Sequence, residues 1–381
     1  MIYVHVPFCG SFCTYCDFYS EIACPDRNFD AYADEVCREI LRRTTEIGST
    51  LDVNTLYIGG GTPSVLPLPC LGRIISAARD AVRSNFTELT VEVNPEDITE
   101  KGEAYVRGLK DLGVNRFSMG IQSLDDGILH WMNRRHNADG ARKAYGILRH
   151  QGAGNVSLDI IYGISHLSDD TLLKTVEEIV SLGPEHISAY QLSIEEGSAL
   201  AEMIRTGRYS EASDEQCLRQ YRLICEVLKK AGYEHYEISN WARPGFRAVH
   251  NSAYWTRQPY VGIGPGAHSL LYRSGVPEGC SWPGGTRPSQ TEFGPLPLEP
   301  RAASPSGPIC RPSSAPEQTR SWNSRSVTGW KSESETLSGD EIREEEIMLG
   351  LRTVEGWNGR KLSEDEWFVS DDIISDILAQ S

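Results

Sequence analysis

The chain has 381 residues, a formal net charge of −16 and a pI near 5.1. This length gives room for about two domains. The acidic balance argues against nucleic acid as a partner, because a phosphate backbone needs a concentrated basic face. No apolar run approaches the ~20 residues that cross a bilayer, and the sequence opens without a charged and then apolar leader. We therefore expect a soluble, cytoplasmic protein without a transmembrane segment.

Strand and helix patterns alternate from the first residue onward. The candidate strands are residues 3–7, 55–58, 90–93, 116–119, 156–161 and 186–191. Segments with helical periodicity follow at residues 31–45, 71–83, 103–112, 139–150 and 171–182. Strands separated by helices in this way predict parallel pairing with right-handed crossovers. The pattern predicts an α/β fold, either a partial (β/α)6 barrel or an open doubly wound sheet.

The alternation ends near residue 210, which we take as the end of a barrel core at residues 1–210. A long helical stretch at residues 214–231 then begins an accessory region that extends to residue 275. The rest of this region, 211–275, carries a mixed pattern. We expect it to form a smaller part beside the barrel.

A change of composition marks residues 276–320. Ten of the chain's twenty prolines fall there among Ser, Gly and Arg, and such a segment cannot bury enough apolar surface to offset its ordering entropy. We predict a disordered insertion and assign no function to Cys280 and Cys310 within it. The helical pattern at residues 339–350 then marks a C-terminal helical domain, residues 321–381, which we expect to be truncated.

Three cysteines carry the strongest signal, in Tyr3-Val-His-Val-Pro-Phe-Cys9-Gly-Ser-Phe-Cys13-Thr-Tyr-Cys16. Thiolates are soft ligands for zinc or iron–sulfur clusters, and three of them leave one iron of a [4Fe-4S] cube open to bind a substrate. Two alternatives remain open: a structural zinc site that adds His5 as the fourth ligand, and a cube with Cys24 as its fourth thiolate. A disulfide is disfavoured in the reducing compartment that we expect.

This CxxxCxxC loop, with its leading Tyr-x-His-x-Pro-Phe, resembles the loop of the radical S-adenosylmethionine (SAM) proteins. Within them it is similar to the oxygen-independent coproporphyrinogen III oxidase family. The resemblance implies a partial (β/α)6 barrel with a smaller C-terminal accessory domain. It also implies a [4Fe-4S] cluster on Cys9, Cys13 and Cys16, with SAM bound to the open iron. In that superfamily an electron from the reduced cluster cleaves SAM to a 5′-deoxyadenosyl radical.

Phrases at the ends of the predicted strands match the same family. Gly59-Gly60-Gly61-Thr62-Pro follows the second strand, where glycines let the backbone approach a ligand closely and where α/β barrels build their sites. By the resemblance, the SAM-binding residues are Tyr3, Gly59, Gly60, Gly61, Thr62, Glu92, Gln122, Arg134 and Asp159. Taken alone, Glu92, Gln122 and Asp159 would each be interpreted as a solvated or capping group rather than as a ligand contact.

A second constellation, His250-Asn251-Ser-Ala-Tyr254-Trp255, lies in the accessory region. Imidazole is a good iron ligand and aromatic rings can stack on a porphyrin, whereas the alternative interpretation of such a phrase is a packed turn. The phrase matches one in the HemW-type heme chaperones, a branch of the same family, where it is associated with heme. The resemblance therefore implies heme contacts by His250, Asn251, Tyr254 and Trp255.

Two functions follow from the resemblance. One is a heme chaperone that delivers heme to an apo-hemoprotein, with a reductant as a further expected partner. The other is a radical enzyme that oxidatively decarboxylates two propionates of coproporphyrinogen III, and a radical enzyme with an unrelated substrate is a third alternative. The oxidase has a cysteine where this chain has Phe18, and an N-terminal extension where this chain begins two residues before Tyr3. Both differences favour the chaperone.

Overall fold

A nine-stranded sheet forms the body of the molecule. The computed structural model describes residues 1–23, 28–48, 50, 53–273, 317–326 and 329–378. In sheet order, the strands are β11 (Val261–Ile263), β1 (Ile2–Val6), β4 (Thr55–Gly60), β5 (Glu88–Val93), β6 (Arg116–Gln122), β7 (Val156–Tyr162), β8 (His186–Gln191), β10 (Asn240–Ala242) and β9 (Glu234–Glu237). A separate parallel pair consists of β2 (Phe8–Cys9) and β3 (Glu21–Ile22).

Helices connect the strands of this sheet. They are α1 (Phe29–Arg42), α2 (Thr44–Gly48), α3 (Leu68–Val82), α4 (Pro95–Asp111), α5 (Asp126–Trp131), α6 (Ala138–His150), α7 (Asp169–Leu182), α8 (Ala199–Arg205), α9 (Asp214–Lys230) and α10 (Val249–Trp255). A short 3₁₀ helix, Pro63–Val65, follows β4. Helices α1, α6, α7 and α9 each begin after an Asn or Ser whose side chain accepts a first-turn N–H, and such caps set where a helix starts.

The six predicted parallel strands are confirmed, and their order shows how the sheet is wound. Strands β1, β4, β5, β6, β7 and β8 lie side by side in chain order, and each neighbouring pair is parallel. Right-handed crossovers then always move in one direction, so the connecting helices cover one face and the other face turns inward. A doubly wound sheet would reverse this order partway along. The strand order therefore fits the predicted partial (β/α)6 barrel.

Alternation along each strand separates an apolar face from a polar one. On β4, Leu56 and Ile58 belong to the hydrophobic core, as does Val91 on β5. The intervening side chains of Tyr57 and Glu92 line the inside of the barrel, because successive residues of a strand point to opposite faces. The inward face is therefore polar enough to form a binding site.

The sheet continues past residue 210. Strand β11 pairs in parallel with β1, β10 pairs antiparallel with β8, and β9 pairs antiparallel with β10. The nine-stranded sheet thus takes strands from both sides of residue 210. The division of the chain at residues 210, 275 and 320 stays a prediction.

Most of the predicted insertion at residues 276–320, with its two cysteines, lies outside the described residues. The described chain resumes in β13 (Glu317–Ser326). This strand pairs antiparallel with β12 (His268–Arg273) on one side and β14 (Gly329–Thr336) on the other. The three strands form a small second sheet next to the barrel.

The last described segment is helical, with α11 (Gly339–Leu351), α12 (Glu364–Phe368) and α13 (Ser370–Leu378). These helices share a small core of their own, made of Ile347, Leu351, Leu362, Trp367 and Ile374. The Trp367 indole N–H donates to the Leu351 carbonyl at 3.0 Å, which ties α12 to the end of α11. No helix in the described part of the chain combines the length and apolar character needed to cross a membrane.

Candidate cofactor site

A cavity of about 630 Å³ opens at the carboxyl ends of the parallel strands. Its wall comes from strands β4 to β8 and from residues 9–20, which carry the three predicted cluster cysteines and which we call the cluster loop. Eleven predicted site residues line the cavity: Cys9, Cys13, Cys16, Gly60, Gly61, Thr62, Glu92, Gln122, Arg134, Asp159 and Asn251. The other five do not: Tyr3, Gly59, His250, Tyr254 and Trp255.

Backbone hydrogen bonds hold the cluster loop in place. The Ala23 N–H donates to the Cys9 carbonyl at 2.8 Å, which closes the loop where β2 pairs with β3. In the middle of the loop, the Thr14 N–H donates to the Met132 carbonyl at 3.0 Å. The loop is therefore fixed both at its ends and against the segment that follows α5.

Polar groups of the cavity contact two of the three sulfur atoms. The Thr62 hydroxyl donates to Cys9 Sγ at 3.6 Å, and Arg134 Nη1 lies 3.3 Å from Cys13 Sγ. Burial raises the pKa of the Cys16 thiol to about 11, so this thiol is protonated at neutral pH when no metal is bound. A soft metal centre would displace that proton, because cysteine binds metals as the thiolate.

Of the two fourth ligands weighed from the sequence, the structure describes His5, and its ring is engaged elsewhere. Both ring nitrogens of His5 have partners: Nδ1 lies 3.1 Å from the Tyr3 hydroxyl, and Nε2 lies 2.8 Å from the Tyr19 carbonyl oxygen. Cys24 lies outside the described residues. Within the described chain, three thiols facing one cavity fit an iron–sulfur cube that keeps one iron open.

The glycine run at the end of β4 packs against the start of the chain. Gly60 has a φ of +109°, a region that favours glycine. A side chain at Gly60 would meet the His5 ring at 2.7 Å, and one at Gly61 would lie 2.8 Å from the Phe8 carbonyl oxygen. A larger residue at either position would push the chain away from the cluster loop.

The Glu92 carboxylate lies inside the cavity between two donors. It accepts hydrogen bonds from the Tyr57 hydroxyl at 2.6 Å and from the Gly60 N–H at 3.0 Å. Gly59 leaves room for it, since a Cβ there would lie 2.9 Å from Glu92 Oε1. Burial raises the pKa of Glu92 to about 7, and the negative charge of Asp159 acts in the same direction. The carboxyl group therefore changes its charge close to neutral pH.

Asp159 is anchored by a polar network that runs through the barrel. Its carboxylate accepts hydrogen bonds from Ser118 at 3.0 Å and from Ser157 at 2.9 Å. Ser157 also lies 2.8 Å from His186 Nδ1, and His186 Nε2 lies 2.7 Å from the Tyr236 hydroxyl. Burial raises the pKa of Asp159. The network fixes the direction in which this carboxylate faces the cavity.

Gln122 and Arg134 meet at the end of β6. Gln122 has a φ of +63°, which is uncommon for a residue other than glycine, and its Nε2 lies 2.7 Å from where a Cβ of Gly120 would stand. Arg134 donates to the Gly120 carbonyl at 2.8 Å and to Asn94 Oδ1 at 3.0 Å. Its Nε is buried without a hydrogen-bond partner. An anionic ligand group would supply that partner.

The predicted heme segment lies on α10, where its histidine has an interior position. His250 is fully buried, with Nδ1 2.7 Å from the Thr55 hydroxyl and Nε2 2.9 Å from the Tyr254 hydroxyl. The backbone N–H of His250 donates to Glu88 at 2.9 Å. Thr55 and Glu88 are the first residues of β4 and β5, so His250 sits at the amino ends of the strands, away from the cluster loop.

Within this segment, Asn251 is the residue that lines the cavity, and Trp255 is half-buried outside it. Burial lowers the pKa of His250 to about 3. Its ring is therefore neutral, and each nitrogen already has a hydrogen-bond partner. Iron ligation by His250 stays a prediction, and it would require the hydrogen bond at the ligating nitrogen to be given up.

Comparison with known proteins gives the family. The radical SAM superfamily model matches residues 3–179. The heme chaperone HemW of Mycobacterium tuberculosis (strain H37Rv) is 35% identical over 277 residues, which cover 71% of this chain and 69% of that protein. The chain belongs to the HemW family of radical SAM proteins. Membership of the radical SAM superfamily implies a [4Fe-4S] cluster and SAM as cofactors.

Two further matches are a second relative and a solved structure. The mitochondrial radical S-adenosyl methionine domain-containing protein 1 of Danio rerio is 33% identical over 283 residues, covering 73% of this chain and 61% of that protein. The structure of coproporphyrinogen III oxidase HemN from Escherichia coli matches with a TM-score of 0.67 at 18% identity, over 92% of this chain and 75% of the oxidase. At that identity the likeness to HemN supports the shared fold.

The sequence prediction for this HemW-family chain missed several residues of the cavity wall. They include Tyr57, Asn94, Ser118, Ser188 and Tyr190. Strand alternation is the signal that could have found two of them, because residues an even number of positions apart on a strand point to the same face. Tyr57 is two residues before Gly59, and Ser118 is four residues before Gln122.

Proposed function

We propose that this protein is a heme chaperone that binds heme and delivers it to apo-hemoproteins. The observation that carries the proposal is the similarity to relatives named heme chaperone HemW, with 35% identity to the M. tuberculosis protein over 71% of this chain. Phe18 supports the same choice, since the oxidase resemblance would put a further cysteine at that position.

For the cluster, the proposed ligands are Cys9, Cys13 and Cys16. When bound, the cluster supplies an open iron and an electron to SAM. The chain's own contribution is to hold three thiols on a fixed loop and to place the Arg134 guanidinium 3.3 Å from Cys13 Sγ. A positive charge at that position offsets part of the cost of burying thiolates.

For SAM, the proposed contacts use the charge of each ligand group. The backbone after Gly60 and the Thr62 hydroxyl face the methionine amino group. Arg134 faces the carboxylate, which would supply the partner that its buried Nε lacks. Acceptor groups on Glu92, Gln122 and Asp159 serve the remaining amino and ribose donors of SAM. Tyr3 and Gly59 act indirectly. Tyr3 forms a hydrogen bond with the His5 ring, which packs beneath Gly60, and Gly59 makes room for the Glu92 carboxylate.

For heme, the proposed binding face is the mouth of the same cavity. Phe12, Phe18 and Tyr190 line the cavity while 49%, 69% and 42% exposed. A flat apolar macrocycle binds where aromatic rings remain exposed around a concave site. Arg135 also lines this cavity and could pair with a propionate. From the predicted heme segment, Asn251 reaches the same space.

The test is anaerobic reconstitution of the cluster in the full chain. Heme is then titrated into one part of the sample, and another part is incubated with coproporphyrinogen III, SAM and a reductant, with E. coli HemN as the positive control. We expect one heme per chain and no decarboxylated product. Turnover at a rate comparable to that of HemN, or no heme binding by the cluster-loaded protein, would contradict the proposal.

The His250→Ala variant separates the two possible heme sites. If His250 ligates the iron, this change abolishes or shifts the heme absorbance and leaves the cluster spectrum intact. If heme lies at the cavity mouth, the variant keeps the heme spectrum and loses only stability. Heme titration at a temperature well below the unfolding transition distinguishes these outcomes.

A further inference from the structure

Three side chains of types that can bind metals meet on the outside of the barrel, far along the chain from the cluster loop. Cys225 is on α9, His235 is on β9, and Glu364 is the first residue of α12. One ligand atom from each lies within 4.8 Å of the other two. The three residues therefore join the barrel wall to the C-terminal helices.

The distances are close to those around a single ion. His235 Nδ1 lies 3.3 Å from Glu364 Oε1 and 4.0 Å from Cys225 Sγ. Zinc bonds of about 2.3 Å to sulfur and about 2.0 Å to nitrogen or oxygen separate neighbouring ligand atoms of a tetrahedron by roughly 3.3 to 3.6 Å. The nitrogen and oxygen already stand at that separation, and a small movement of the thiol would complete it.

The His235 ring is held in an orientation that presents Nδ1 to the other two residues. Its Nε2 lies 3.4 Å from the Ile238 carbonyl oxygen, an acceptor for the ring proton when Nδ1 binds an ion. The ring also stacks on Trp241, with centroids 4.0 Å apart and planes 13° apart. A backbone carbonyl behind one ring nitrogen is the usual arrangement for a histidine that binds metal through the other.

We propose that Cys225, His235 and Glu364 bind one zinc ion, separate from the iron–sulfur site. A thiolate, an imidazole and a carboxylate form a donor set that zinc accepts with a water as fourth ligand. Solvent can reach the site, because the Glu364 side chain is 41% exposed and a cavity of about 200 Å³ borders Cys225 and Glu364. The inference does not depend on the proposed heme function.

The charged side chains around the site do not occupy Oε1 of Glu364, so this oxygen can bind the ion. Arg222 is paired with Asp365 at 2.8 Å. Lys229 Nζ stands 4.0 Å from Glu364 Oε2, whereas Oε1 is the oxygen that faces His235. Because Glu364 follows His235 by 129 residues, a bound ion would fasten α12 to the barrel.

The test uses the full chain with its cluster loaded. The protein is treated with a chelator, titrated with Zn²⁺ under anaerobic conditions and dialysed, and both zinc and iron are then measured. We expect one zinc per chain with unchanged iron, and a loss of zinc affinity of at least tenfold in Cys225→Ser and in Glu364→Gln. Unchanged iron in both variants would show that the cluster site is not the source of the zinc signal.

Two matched controls lie on the same helices as the site. Cys217→Ser changes another buried cysteine of α9, and Asp365→Asn changes the neighbouring carboxylate. Both should bind zinc as the unaltered protein does. Cobalt gives a second readout, because a sulfur-to-cobalt charge-transfer band should be present in the unaltered protein and absent in Cys225→Ser.

A stability measurement guards against variants that fold poorly. Zinc should raise the unfolding temperature of the unaltered protein and of Cys217→Ser, and should leave that of Glu364→Gln unchanged, since only a ligand that binds the folded state stabilises it. The proposal is overturned if the dialysed protein retains no zinc, or if both site variants bind zinc as tightly as the unaltered protein.

Discussion

The two ends of strand β5 carry the same residue type in different settings. Glu92, near the carboxyl end, lines an open cavity and accepts one hydroxyl and one backbone N–H. Glu88, at the amino end, is buried, and its oxygens accept the backbone N–H groups of Val249 and His250, both at 2.9 Å. Glu92 is placed to meet a ligand, whereas Glu88 fixes the first turn of α10.

This difference shows why residue type alone does not assign a function. In (β/α) barrels the carboxyl ends of the strands carry the chemistry and the amino ends carry stability. The predicted SAM residues fall mostly at the carboxyl ends, as a binding site requires. His250 falls at the amino ends beside Glu88, and both of its ring nitrogens are engaged there.

The largest expected effect is at the cluster loop. The Cys13→Ser variant should lose nearly all cluster iron after anaerobic reconstitution, because serine is a poor ligand for iron in place of a thiolate. The matched control is Cys37→Ser, a half-buried cysteine on α1 outside the cavity, which should keep its iron. Iron and sulfide analysis measures both, and a full cluster in Cys13→Ser would refute the assignment.

The pair Glu92→Gln and Glu88→Gln tests the comparison directly. Glu92→Gln should weaken SAM binding by about tenfold to a hundredfold, which corresponds to the free energy of a hydrogen bond to a charged group. The stability of the protein should change little. Glu88→Gln should keep SAM affinity and lower the free energy of unfolding by about 1–3 kcal/mol. Only the oxygen of an amide accepts hydrogen bonds, so the glutamine NH₂ would face one of the two helix N–H groups that the carboxylate now accepts. Equilibrium SAM binding and urea unfolding measure the two effects. The reverse pattern would break the comparison.

The stability of the protein should depend on pH through the protonation of His250. Its folded pKa, lowered to about 3, lies below the unfolded value of about 6.5, so between these values only the unfolded chain takes up the proton. The stability from the neutral ring is therefore complete above about pH 6.5. It is lost as the pH falls towards 3, at up to about 1.4 kcal/mol per pH unit. Burial is the main cause, with the positive charges of the chain's amino terminus and Arg116 adding to it.

The check compares the unaltered protein with His250→Asn between pH 6.5 and 5. As the pH falls, the unfolding free energy of the variant should decrease with a smaller slope, and the difference in slope should be about that of one titrating group. Other buried histidines, such as His186, contribute equally to both proteins and cancel in the difference. Equal slopes would mean that His250 is solvent-exposed or already protonated in the folded protein.

The smallest expected effect concerns the heme face. Phe18→Ala should raise the heme dissociation constant about threefold to tenfold, because a partly covered ring contributes about 1 kcal/mol of apolar contact. The control Leu41→Ala removes a side chain of similar exposure on α1, 62% against 69%, away from the cavity. Heme titrations of both variants locate the face. Equal affinities would place heme elsewhere.

Much of the fold was predictable because strand and helix periodicity is local. Strand β8 has the predicted bounds, residues 186–191, and α9 ends one residue before its predicted end. Helix α4 shows where local reasoning failed. It begins at Pro95, eight residues before the prediction, and non-helical geometry at Gly102, with a φ of +67°, interrupts the pattern. Proline in the first turn of a helix was the available signal.

The pairing of β11 with β1 was not predictable in the same way. Val261 stands opposite Ile2, and nothing within either short segment encodes a partner more than 250 residues away. The same limit applied to the trio Cys225, His235 and Glu364, whose spacing along the chain resembles no metal motif. Folding brings their ligand atoms within 4.8 Å.

The sequence by itself determined the alternation of strands and helices, the three-cysteine loop and the family, since each depends on residues close together in the chain. The order of the strands within the sheet was left open between two folds, and the structure decided it. Only the tertiary structure decided which of the predicted residues share a cavity. Glu88 and Glu92 differ by four positions on one strand, yet α10 covers the first and leaves the second open. That outcome depends on long-range packing, which determines how much water reaches a side chain and therefore whether it can serve a ligand.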